Sequence, residues 1–166
     1  MARAQHPRRA LPDDGDRAAT LQLTIALGRA LQAMKRRVQP HLVKAGLAMT
    51  EFAVLEVLYH KGPLRLGEIR DRILITSAST TFVVKKLEER RLIRRRASTE
   101  DSRVVFGELT AKGRALIDEV FPEHVRQLQL ASAGLTVSEK REVSRLLRAL
   151  SRYARRTAGA TVTEDD

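Results

Sequence analysis

The stretch "SASTTFVVKKLEERRLIRRRASTEDSRVVF", residues 77–106, changes its hydrophobic period midway, and that change decides the fold. In its first half Thr80, Val83, Val84 and Leu87 recur three and four apart, so they share one face of a helix and leave Lys85 and Lys86 away from it. From Leu92 the period falls to two. Ile93 and Arg95, then Val104 and Phe106 across a polar tip, read as two short strands of a hairpin. Upstream, Thr50 is placed to cap "EFAVLEVLYHKG", whose Phe52, Val54, Leu55 and Leu58 build an apolar face and which Gly62 and Pro63 stop. Leu66, Ile69 and Ile73 line one side of a second short helix, and Ser77 or Thr76 caps the third. Three short helices with tight connections make a helix-turn-helix, and the hairpin after them makes it winged.

Longer helices flank this unit. Leu27, Leu31, Met34 and Val38 form the stripe of an amphipathic helix that Pro40 is expected to kink or end. After Leu109 helical spacing resumes through Leu116, Val120, Val125 and Leu128, with a kink or break expected at Pro122, and Ser138 is expected to cap a last helix striped by Val143, Leu146, Leu147, Leu150 and Tyr153. The fold class is therefore mainly α with a small β-hairpin. Residues 1–16 and 158–166 mix charges with Pro, Gly or small residues, lack an apolar period and are expected to be disordered. Between them, residues 47–110 form the winged unit, with 17–46 and 111–157 as the helices around it.

The 166 residues suit one core, and aromatics at only 4% leave aliphatic packing to hold it. With no cysteine there is no disulfide, thiolate metal site or thiol nucleophile. His6, His41, His60 and His124 are scattered without metal-ligand spacing, and no phosphate-binding glycine loop or nucleophile motif occurs, so neither a metal, a cofactor nor catalysis is expected. Nothing near the N-terminus reads as a signal peptide and no run approaches a membrane span, which predicts a cytoplasmic protein without a membrane partner. The formal net charge of +11 predicts a polyanionic partner, and its distribution narrows the choice. Residues 61–103 hold twelve Lys/Arg against six Asp/Glu, residues 138–157 hold seven against two, and the remainder balances.

A helix fits the major groove of duplex DNA and a hairpin tip reaches the minor groove. On the third helix, Ser77, Ala78, Thr81, Phe82 and Lys85 lie opposite the apolar face. Ser77 and Thr81 can donate to phosphates or base edges, Ala78 and Phe82 can touch a thymine methyl, and Lys85 can reach phosphate or guanine. For Phe82 the burial ranking of aromatics favours packing instead. Arg94, Arg95 and Arg96 on the entering strand can meet phosphates.

The string "RLIRR…EDSRVVFGELTAKG" resembles the signature of the MarR family of bacterial transcription regulators, carried here by Asp101, Arg103, Leu109, Thr110 and Gly113. The resemblance implies a homodimer joined through its terminal helices, 17–46 and 111–157, binding a palindromic operator in double-stranded DNA. By position it implies Arg103 in the minor groove, oriented by Asp101. "ILITSASTTFVVKKLEERRLI" and "ELTAKGRALIDEVFPEH" further resemble the quinone- or phenol-responsive branch, which implies a repressor released by a small aromatic ligand. Met34, His41, Phe52 and Arg70 are the candidate lining residues of its pocket, although each alone reads as packing or a solvated group. Arg91 stands where the family often has Gly, implying strain or a different cap. Ser98, Thr99 and Ser102 depart from the branch's wing tip. A chromatin-like DNA binder without effector is the alternative, supported by the two basic segments.

Overall fold

The structure, a computed structural model, describes residues 14–73, 77–98 and 104–158. Along the chain run α1 (Asp14–Lys44), α2 (Met49–Lys61), β1 (Leu64–Arg65), α3 (Leu66–Ile73), α4 (Ser77–Glu89), β2 (Ile93–Ala97), β3 (Val105–Leu109), α5 (Ala111–Ala131) and α6 (Val137–Ala158). The strands form an antiparallel sheet in the order β1-β3-β2, in which Leu64 faces Gly107 and Arg95 faces Gly107 from the other side. The hairpin expected from the period-two stretch is therefore the larger part of a three-stranded sheet. The two-residue β1 is too short to show a period. Residues 14–16, expected in a disordered arm, are the first turn of α1, whose Asp14 and Asp16 suit the positive end of a helix.

Both interior prolines are carried through without ending their helices. Pro40 and Pro122 are exposed, so the carbonyls they leave unbonded, on Arg36 and Asp118, can turn to water. On the opposite side Val38 and Leu42 bury within two residues of Pro40, as do Val120 and His124 around Pro122. Burying Val38 and Leu42 contributes roughly 3–6 kcal/mol, enough to offset the ~3 kcal/mol cost of an interior proline at position 40.

The caps also differ from expectation. Ala48, not Thr50, precedes α2, and its N–H donates to the Glu51 carboxylate at 2.7 Å. Thr136, not Ser138, precedes α6 in a full capping box: its hydroxyl accepts from the Glu139 N–H at 3.3 Å while Glu139 accepts from the Thr136 N–H at 2.7 Å. At the end of α4, Arg91 adopts φ 58°, the left-handed conformation anticipated for that position. Its N–H donates to Glu88 O at 2.8 Å and that of Leu92 to Leu87 O at 2.9 Å, the paired bonds of a Schellman stop. Leu87 and Leu92 bury together beneath it.

This stop feeds β2, and Leu92 then anchors α5. The Thr110 N–H donates to Leu92 O at 3.1 Å, and the Thr110 hydroxyl accepts from the Gly113 N–H at 3.0 Å. A Cβ on Gly113 would stand 1.9 Å from that same Leu92 oxygen, so only glycine lets α5 begin there. The Leu-Thr-x-x-Gly part of the signature is thus the joint between wing and α5. One core, around Leu42, Phe52, Leu55, Ile69, Leu87 and Ile117, ties α1 through α5 together. Among the described residues no element of the chain packs along α6, and no helix is long and apolar enough to cross a membrane.

Candidate nucleic-acid interface

The period of α4 sorts its side chains cleanly. Thr80, Val83, Val84 and Leu87 are buried against the core, whereas Thr81, Phe82 and Lys85 are exposed on the other side. Phe82, for which packing was the favoured reading, is 68% exposed, so that reading is corrected. Its turn of α4 points away from the core, and leaving a phenyl in water forgoes about 2–3 kcal/mol that burial would supply. Ser77 and Ala78 belong to the first turn of α4, and their side chains lie outside the described residues.

Lys85 has only a loose contact with Glu89, 4.0 Å between two well exposed side chains, and remains available to another anion. Lys86 does not. Its Nζ lies 3.0 Å from Glu51, a carboxylate buried at the start of α2, and Arg90 reaches the same group at 3.4 Å. Burial pushes the Glu51 carboxyl up, but the Ala48 N–H, Lys86 and Arg90 outweigh it and hold it below its usual range. Glu51 therefore fastens the last turn of α4 to the corner between α1 and α2. Sequence reading missed this link, because a charge pair 35 or 39 positions apart leaves no periodic trace, and the cap of α2 was assigned to the neighbouring Thr50.

Pleat alternation separates the three wing-strand arginines. Arg94 and Arg96 share a face with Glu108, which takes Arg94 at 2.5 Å and Arg96 at 3.8 Å, and the Arg96 guanidinium sits 5.5 Å above the Phe106 ring. Arg95 points the other way, to Glu88 of α4 at 3.0 Å. Each arginine keeps an internal carboxylate, so contact with phosphate is an exchange of partners. Asp101 and Arg103, with Thr99, Glu100 and Ser102 of the tip, lie outside the described residues.

Of the candidate ligand-lining residues, the structure joins two through a third. The His124 ring lies 5.4 Å from His41 and 4.2 Å from Phe52, at the junction of α1, α2 and α5. Both nitrogens of His41 and Nδ1 of His124 are buried with no hydrogen-bond partner among the described residues. Burial, with the nearby His41, lowers His124 to about 4, so its imidazole stays neutral. A cleft of about 210 Å³ opens beside them, lined by His41, Lys44, Ala45, Glu119, Val120 and Glu123. Phe52 is fully buried and forms the floor of this junction, not its surface. Met34 is half-buried one turn before Val38, and Arg70 lies on α3 beside Asp71 at 2.8 Å. Among the described residues no three metal-capable side chains converge.

Comparison with known proteins follows the same lines. A family model described as the MarR family matches residues 47–105. The chain is 41% identical over 129 residues to the HTH-type transcriptional regulator MhqR of Bacillus subtilis, covering 78% of this chain and 89% of that protein. It superposes with TM-score 0.71 on Bordetella bronchiseptica BpsR, whose DNA binding is regulated by 6-hydroxynicotinic acid, at 29% identity over 78% of this chain and 98% of that one. Sco3205, a MarR family transcriptional regulator from Streptomyces coelicolor solved in complex with DNA, shares the fold with TM-score 0.73 at 19% identity, covering 88% and 91% of the two chains.

Proposed function

The chain belongs to the MarR family of transcriptional regulators, and from that premise we propose that two copies bind a pseudo-palindromic operator, repress by occupying it, and leave it when a small aromatic or phenolic ligand binds. The observation that carries the reading is the exposed stripe Thr81, Phe82 and Lys85 on a helix whose other face is locked into the core. In this reading Ser77, Ala78, Thr81, Phe82 and Lys85 face the major groove, and Arg94, Arg95 and Arg96 meet phosphates. Arg103, oriented by Asp101, enters the minor groove. Residues 47–110 form the reading unit, and 17–46 with 111–157 form the dimer.

The ligand's place is the junction of α1 and α5 beside His41. Buried imidazole nitrogens without partners can pair with a phenolic hydroxyl, and Val120 offers apolar wall. The hydroxylated aromatic acid that regulates BpsR is of this chemical kind. Arg70 contributes only if α3 moves toward that junction.

Selection of bound duplexes from a random pool tests the reading. It should return a palindrome with half-sites about 10 bp apart, as two symmetric recognition helices require. Recovery of unrelated sequences, with equal affinity for random and palindromic duplexes, would favour the chromatin-like binder and overturn the regulator.

A further inference from the structure

The winged unit leaves the second basic segment unused. On α6, at 100° per residue, Arg141, Arg145, Arg148, Arg152, Arg155 and Arg156 fall within an arc of about 100°, all of them exposed and with no Asp or Glu among them. The arc spans about 22 Å of helix at 1.5 Å per residue. Arg145 is engaged by Glu142 at 2.8 and 2.6 Å, and Arg156 lies 5.4 Å from the Tyr153 ring. Among the described residues, Arg141, Arg148, Arg152 and Arg155 form no ion pair. The acidic residues of the helix, Glu139 and Glu142, lie off the stripe, and Val143, Leu146, Leu147 and Leu150 occupy the opposite side.

We propose that this arginine stripe is a second, sequence-independent contact for the phosphate backbone of duplex DNA, separate from the groove read by α4. One positive charge per roughly 4 Å of α6 is close to the one negative charge that each DNA strand carries per ~3.4 Å of helix axis. Guanidinium groups suit phosphate because their planar donors bind two oxygens at once. The stripe and the apolar face are back to back, so a second copy of the chain can cover the apolar side while the arginines stay outward. An amphipathic helix of this kind can also lie on an anionic bilayer, leucines in the acyl boundary and arginines at the headgroups; a second copy that covers Val143, Leu146 and Leu150 removes that mode and leaves the arginines to a polyanion. The contact rests on the DNA-binding reading, and it adds affinity without adding sequence preference.

The experiment compares the full chain with its R148Q/R152Q/R155Q variant by titrating a long random-sequence duplex and the pool-selected duplex across salt concentrations. The slope of log affinity against log salt should flatten by about 2–3, at ~0.9 for each phosphate no longer neutralised. Both duplexes should weaken alike, so their affinity ratio stays fixed. R148K/R152K/R155K should restore most of the slope, and R152Q alone should remove about 0.9 of it, which keeps the test decisive should the triple variant fold poorly. An unchanged slope overturns the proposal and leaves the regulator standing. Loss of binding to phosphatidylserine vesicles with DNA binding untouched overturns it in favour of a membrane surface. A wild-type chain that holds no duplex at all sinks the regulator reading together with it.

Discussion

At Arg91 a single backbone angle carries a measurable cost. The left-handed conformation at φ 58° is penalised by about 1–2 kcal/mol in any residue with a Cβ. Arg91→Gly should therefore stabilise the chain by about 0.5–1 kcal/mol net, the gain being trimmed by glycine's freer unfolded chain. A higher urea midpoint with unchanged DNA affinity is the expected result; an equal or lower midpoint would mean that the guanidinium holds something that repays the strain. His124 carries the second prediction at this scale. Burial and His41 keep its folded-state value at about 4, below the ordinary 6.5, so as pH falls the unfolded chain takes the proton first. Its stabilising contribution is whole above about pH 6.5 and is lost progressively as pH falls toward 4, by up to about 3 kcal/mol. Urea midpoints measured across that window should decline in the wild type and stay flatter in His124→Leu.

In the proposed reading α4 is the helix that reads DNA, and two substitutions separate how it is held from what it touches. Glu51→Gln removes the carboxylate shared by Lys86 and Arg90, but both cations can turn to solvent, so the cost should stay near 1–2 kcal/mol, below that of a fully buried pair. Because Lys86 sits in the last turn of α4 and Arg90 directly after it, DNA binding should weaken as well, and the two losses should appear together in one series of unfolding and titration curves. Phe82→Ala should do the opposite. The exposed ring contributes nothing to the core, so the unfolding midpoint should hold while DNA affinity falls by roughly tenfold, about 1.4 kcal/mol. A midpoint that drops with Phe82→Ala would place the ring against protein after all. What made α4 legible was its strict spacing: Thr80, Val83, Val84 and Leu87 had only one face to share. Phe82 was misjudged because a general burial tendency was set against that spacing, and Glu51 was missed because its partners are distant in sequence. Of the two outcomes expected at Pro40 and Pro122, ending the helix fails for a related reason, since a local breaker says nothing of the core contacts that outweigh it.

The whole chain leaves more apolar surface bare than a single copy can explain. Leu27 and Leu31 on α1, and Val143, Leu146, Leu150 and Tyr153 on α6, are each about 40–50% exposed, although the sequence marks them as buried stripes. A partner's surface leaves no trace in one chain's spacing, so the stripes alone name no covering element, and only the family resemblance pointed to a second copy. Paired copies would cover both helices, and association then becomes part of folding. Mass action makes that testable: raising protein concentration tenfold should stabilise a folded dimer by about 1.4 kcal/mol relative to unfolded chains, shifting the thermal midpoint upward with each step. A variant carrying Leu146→Asp and Leu150→Asp should sediment as a monomer with a lower midpoint that no longer moves with concentration, because the core from Leu42 to Val120 remains within one chain. It should also lose most operator affinity while keeping the exposed α4 face, since one winged unit alone contacts half a palindrome. A wild-type midpoint that ignores concentration, with monomeric sedimentation, would leave those leucines without a partner and remove the symmetric reading of DNA.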